Sequence, residues 1–256
     1  MHEFFLTWFM VFVRAGAMLA IFPIFSASAM PKRLRIALAG FLALLSMQGV
    51  ALPPDFFDSN LAQFIGLILR EVMYGLLLGF VVRLIMFSVS LAGHYVGTEL
   101  GLQLSSLIAP GESSPSATPS VMLQMMTVML IFSLDIHFQL LMGFSQSYNV
   151  LAIGGGAGLS QSLFDEVTMM CGRTFVVALR IAAPLIAVSI VVNLLMMVLG
   201  RTIPEVNVFI MAFSVRILVG IFLIGFTFSL AAREISNYLK QLPNDFVTIT
   251  RLLAGG

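Results

Sequence analysis

Six apolar runs, each close to or above the length that crosses a bilayer, constrain this chain more than any other feature. A transmembrane helix needs about 20 predominantly apolar residues. Here such runs fall at roughly 4–29, 34–52, 61–92, 120–153, 170–199 and 206–232. With 59% hydrophobic and only 10% charged residues, the apolar surface exceeds what a single soluble core can enclose, and lipid is its natural solvent. No alternation of apolar and polar residues points to a barrel. The expected fold class is therefore all-α, a polytopic membrane protein with about six apolar helical segments, read as one integral membrane domain over residues 1–256.

The opening segment is read as a retained helix rather than a cleaved leader. Ala27-Ser28-Ala29 resembles a cleavage site, but the chain starts Met1-His2-Glu3 with no basic region ahead of its apolar run, and Arg14 lies inside that run.

Charge excludes several function classes. A net charge of +1 offers no nucleic-acid footprint. A single cysteine, Cys171, excludes a disulfide framework within the chain, and His2, His94 and His137 show no metal-ligand spacing. No nucleophile elbow, zinc-protease or phosphate-loop motif is present. Asp135-Ile136-His137 is the only acid–histidine pair close in sequence. Residues two apart do not share a helix face, so it reads as a helix-end or interhelix feature. Cys171 reads as a packed small residue. No cofactor is implied.

Two oddities remain. The apolar segments hold Arg14, Arg70, Arg83, Arg173, Arg180 and Arg216 against only Glu71 and Asp135. A charge at mid-membrane costs on the order of 2.5–3.5 kcal/mol on insertion scales. Some of these arginines snorkel from segment ends; the others call for partner subunits or water, and Arg70 and Arg83 are the candidate subunit contacts. The positive-inside rule is also undecided, with Lys32, Arg33, Arg35 and Arg201 on one side against Arg173, Arg233, Lys240 and Arg251 on the other. Segments 61–92 and 120–153 are long enough to be bent, re-entrant or raised above the bilayer.

Between those two segments, Gly97–Pro119 is rich in Gly, Pro and Ser, which oppose a regular helix. It reads as a solvent-exposed connection, or, being long for one, as a functional loop. Directly after it, Met122, Met125, Met126 and Met129 recur at i, i+3, i+4 and i+7, on one helical face. Flexible thioethers suit a deformable seal, and they equally suit ordinary helix packing. Gly154-Gly155-Gly156-Ala157-Gly158 interrupts the fourth and fifth segments, and Gly200-Arg201-Thr202-Ile203-Pro204 connects the fifth and sixth as a hairpin.

Several stretches together resemble the FliR family of flagellar type III export-gate proteins, related to the SctT subunit of virulence injectisomes. They are Pro23-Ile24-Phe25 with Pro31-Lys32-Arg33-Leu34-Arg35, the loop ending Ala117-Thr118-Pro119, and Asn193-Leu194 leading through Gly200-Arg201 to Pro204-Glu205-Val206-Asn207-Val208-Phe209. The basic stretch after Pro31 looks more flagellar than injectisome-like.

The resemblance implies a non-enzymatic gate subunit in the bacterial inner membrane, at the flagellar basal body. Its expected partners are FliP-family and FliQ-family subunits, with FlhB-family and FlhA-family proteins alongside. Unfolded rod, hook and filament proteins pass through the gate, much of which is lifted above the membrane plane. The family's pore plug maps onto Ser105–Thr118, with Ser105, Ser106, Leu107, Ile108, Ala109, Pro110, Gly111, Glu112, Ser113, Ser114 and Pro115 as the loop residues. The methionine face is the candidate gasket beside it, although in the family a methionine gasket belongs chiefly to the FliP-type subunit. A small-solute transporter is the rival reading, but the inverted repeats and charged half-helices it predicts are absent from the sequence.

Overall fold

Eight helices account for most of the chain in the computed structural model, which describes residues 2–23, 30–53, 60–100, 117–156, 158, 160–202 and 208–255. They are α1 (His2–Ile21), α2 (Lys32–Ser46), α3 (Leu61–Glu99), α4 (Ala117–Ser133), α5 (Ile136–Val150), α6 (Gln161–Thr202), α7 (Val208–Leu239) and α8 (Leu242–Ala254). No strand occurs among the described residues.

Helices α1, α3 and α6 are long and apolar enough to cross a membrane, and the broken pair α4–α5 makes a fourth candidate. The 39 residues of α3 and the 42 of α6 rise about 1.5 Å each, so either outreaches a hydrocarbon core of about 30 Å. Pro184 lies inside α6 without ending it, as membrane helices tolerate. The apolar run at 34–52 yields a helix of only 15 residues, α2, short of a full crossing.

The run at 120–153 breaks at Asp135, which takes a left-handed φ of 55° and serves as the N-cap of α5. A short polar side chain tolerates that conformation better than a branched apolar one. His137 packs against the Phe132 ring at 4.9 Å across the break. The Asp-x-His pair is thus a helix-end feature.

Helix α8 was not among the six expected segments. Its buried Leu242, Phe246, Ile249 and Leu253 form one face, and Gly255, at φ 97°, caps its end. Too short and polar to register as an apolar run, it is an amphipathic helix seated on α5, where Gly143 leaves room for the Phe246 ring.

The described chain forms two compact units. The first contains 1–84, 132–171 and 240–256, and the second 85–131 and 172–239. In the first, α1 lies close along α3: a Cβ on Gly75 would sit 2.3 Å from the Arg14 carbonyl oxygen, and one on Gly79 2.6 Å from that of Met18. Gly75-x-x-x-Gly79 is the small-residue spacing that lets membrane helices approach backbone to backbone. Helix α2 packs on α1, with the Trp8 indole N–H donating to the Gly40 carbonyl at 3.2 Å.

In the second unit, α4 crosses α3 where Gly93 faces Ser120; a Cβ there would fall 2.2 Å from the Ser120 Cα. The hydroxyls of Ser90 and Ser120 meet at 3.2 Å. Phe87 and Phe175 make an edge-on ring contact.

Candidate functional site

Among the described residues, Arg14 and Glu71 are fully enclosed together. The Arg14 Nε donates to Glu71 Oε2 at 2.6 Å and its Nη2 to Oε1 at 3.0 Å. Nη1 donates to Ser147 Oγ at 3.3 Å, and both terminal nitrogens donate to the Leu151 carbonyl at 3.2 Å. A guanidinium has five N–H donors, and these contacts occupy all of them. The Tyr148 ring lies 4.0 Å from the guanidinium carbon and the Tyr74 ring 5.5 Å, within cation–π range.

The glycine run after α5 closes this cluster. Gly154 and Gly156 have φ of 73° and 105°, a region in which glycine alone is unstrained. The turn aims Gly154 N–H at Glu71 Oε1 (3.5 Å) and the Gly155 carbonyl at the Tyr74 hydroxyl (2.8 Å). A Cβ on Gly156 would fall 2.6 Å from the Tyr74 hydroxyl oxygen. The site thus ties α1, α3, α5 and the glycine turn together through one compensated charge pair. It holds no nucleophile–base arrangement, and no metal-ligand cluster occurs among the described residues.

In the sequence Arg14 is one of several arginines short of acidic partners, and the structure gives it Glu71, the acid in the middle of α3. The pair is separated by 57 positions, so no local spacing reveals it. The available signal is that Arg14 stands between Val13 and Ala15 in an apolar run, and that Glu71 is the acid in the middle of another.

Three of the candidate methionines and both candidate arginines are exposed. Met122, Met125 and Met129 are 47%, 62% and 71% exposed, Met126 is half-buried, and Leu123 and Thr127 on the opposite side are buried. Three of the four thioethers are therefore exposed on the described chain. Arg70 is exposed and donates to the Gly154 carbonyl at 3.1 Å. Arg83 is exposed and makes no hydrogen bond or ion pair among the described residues. The plug-loop residues Ser105–Pro115 lie outside the described residues, as do Ala27–Ala29 and Ile203–Asn207. The helices bordering the loop extend further than expected, α3 to Glu99 and α4 from Ala117. Near the loop's start, Ser189 Oγ donates to the Glu99 carboxylate.

Across residues 5–242 the chain matches the family model of the bacterial export proteins, family 1. It belongs to that family. Relatives named flagellar biosynthetic protein FliR are similar to it over most of both chains. That of Caulobacter vibrioides is 26% identical, over 93% of this chain and 94% of the relative. That of Escherichia coli is 25% identical over 93% and 90%, and that of Bacillus subtilis 24% over 85% and 84%. This member of the export family carries both halves of the Arg14–Glu71 pair and the methionine face within the matched stretch, while nearly all of α8 lies beyond it.

Proposed function

We propose that this chain is a non-enzymatic subunit of the flagellar protein export gate, built with FliP-family and FliQ-family subunits beside FlhB-family and FlhA-family proteins. The gate sits in the bacterial inner membrane at the basal body and passes unfolded rod, hook and filament proteins. The observation that carries this reading is the family match over residues 5–242, supported by FliR-named relatives that align over at least nine-tenths of their own length. An all-helical chain whose enclosed Arg14 and Glu71 compensate one another is suited to a structural role.

Within the gate, Ser105–Thr118 is the plug. As far as Ser116 its Gly, Pro and Ser content supports an irregular backbone between two helices, and Ala117 and Thr118 open α4. Met122, Met125 and Met129, directed away from this chain's own core, are the gasket face, with Met126 at its edge. A seal that holds back ions yet passes chains of any sequence has to be apolar and deformable, which unbranched thioethers supply better than stiff branched side chains. Arg70 and Arg83, on the exposed side of α3, contact neighbouring subunits or water.

The test is purification of the tagged full chain in mild detergent from cells with intact flagellar genes. A gate subunit brings down two other small membrane proteins in unequal stoichiometry, and cells lacking it export no hook or filament protein. Recovery of the chain alone, with export intact in its absence, would refute the reading.

A further inference from the structure

The first turn of α2 runs against elementary helix electrostatics. Lys32, Arg33 and Arg35 crowd a helix N-terminus with no acidic residue in its first turn and no side-chain cap from Pro31. The macrodipole puts about half a positive charge at that end, so the three cations repel it as well as one another. No ion pair to Lys32, Arg33 or Arg35 occurs among the described residues. The Nε of Arg35 is buried without a hydrogen-bond partner. An anion from outside the chain would relieve the repulsion among these charges and with the helix end.

The face beside these charges is apolar. Leu34, Phe41, Leu44 and Leu45, at i, i+7, i+10 and i+11, lie along one side of α2 and are exposed, Phe41 by 61%. Ala39, Ala43 and Ser46 on the other side are buried, and α2 is seated on α1 through Gly40 and Trp8. The 15 residues of α2 span about 22 Å at 1.5 Å per residue, less than a hydrocarbon core of about 30 Å. A short helix with cations at one end and an apolar flank below them matches the two parts of a phospholipid, an anionic headgroup and acyl chains.

We propose that the basic end and apolar flank of α2 form a binding site for an acidic phospholipid, with Lys32, Arg33 and Arg35 on the phosphate and Leu34 and Phe41 against the acyl chains. The proposal rests on the membrane class of the fold and stands apart from the gate reading.

The test is native mass spectrometry of the full chain released from mild detergent with equimolar phosphatidylglycerol and phosphatidylcholine. The wild type should retain phosphatidylglycerol preferentially. The preference should weaken with salt and fall about fivefold for each cation replaced in K32Q/R33Q/R35Q. Trp8, the single tryptophan, donates to α2, so its unchanged emission verifies that α2 is still seated. If the triple variant shifts that emission, the K32Q/R33Q variant, which alters two exposed side chains only, decides the matter by the same readout. Equal retention of both lipids by the wild type, or an undiminished preference in a seated Gln variant, would overturn the proposal. So would carbodiimide cross-linking of Lys32 to a carboxylate of another protein in the assembled complex, which would assign the cluster to an acidic protein partner.

Discussion

Arg14 and Glu71 show how a single pair decides the local architecture. Removing one member of a buried pair leaves the other charged and uncompensated, a loss of about 3–5 kcal/mol. Glu71→Ala is therefore expected to lower the thermal stability of the detergent-solubilised chain severely. Arg14→Met with Glu71→Leu together should recover much of that loss, because apolar residues of similar volume suit the same space. A double variant no more stable than the single one would show that the hydrogen bonds from Arg14 to Leu151 and Ser147, rather than the charge pair, hold the site. The exposed arginines behave differently. Arg70→Leu and Arg83→Leu each remove a charge that costs several kcal/mol against acyl chains, so insertion alone would improve. The expected result is the opposite sign in function, with weaker co-purification of partner subunits and slower secretion. Wild-type secretion by both variants would count against their role as subunit contacts.

Helix α4 divides its two faces cleanly between interior and exterior. Leu123, Thr127 and Ile131 are buried, while Met122, Met125 and Met129 point outward. Ala at these three outward positions therefore opens little cavity within this chain, and the cost of about 2–5 kcal/mol that attends truncation of an enclosed Met does not apply inside it. If the face seals a lumen, changing two or more of these residues to Ala should make membranes leak ions while the complex still assembles. If it packs on a neighbouring subunit, the same variants should lose the complex without a leak. Measuring subunit recovery and ion flux on the same membranes separates the two outcomes. Helix α3 gives the complementary lesson: Gly75 and Gly79 are defined by the α1 backbone lying against them, and any side chain there would push the two helices apart.

For the whole molecule, the connection between α3 and α4 is held at both roots within one unit, by Ser189 on Glu99 and by the Gly93–Ser120 crossing. Deleting Ser105–Thr118 with a short Gly/Ser replacement should therefore leave assembly intact. If the loop is the plug, resting membranes carrying the deletion should conduct ions and small solutes that the wild type excludes. Unchanged conductance with the complex still formed would end the plug assignment.

Much of this was legible from residue order alone. Apolar length and scarce charge determined an all-helical membrane chain, because only helices or closed barrels satisfy backbone polar groups in lipid. Helical spacing put the four methionines on one side of α4, and glycine content marked the turn at 154–158 where backbone must adopt positive φ. Tertiary structure decided what that order leaves open. It turned the methionine side outward, broke the fourth run at Asp135, reduced the second to a short helix, and found a place for α8 on α5. It also brought Arg14 to Glu71. Helical periodicity governs which residues share a face, but which face meets which depends on packing between segments distant in the chain. A buried charge announces that it needs a counter-charge; only the folded chain selects it.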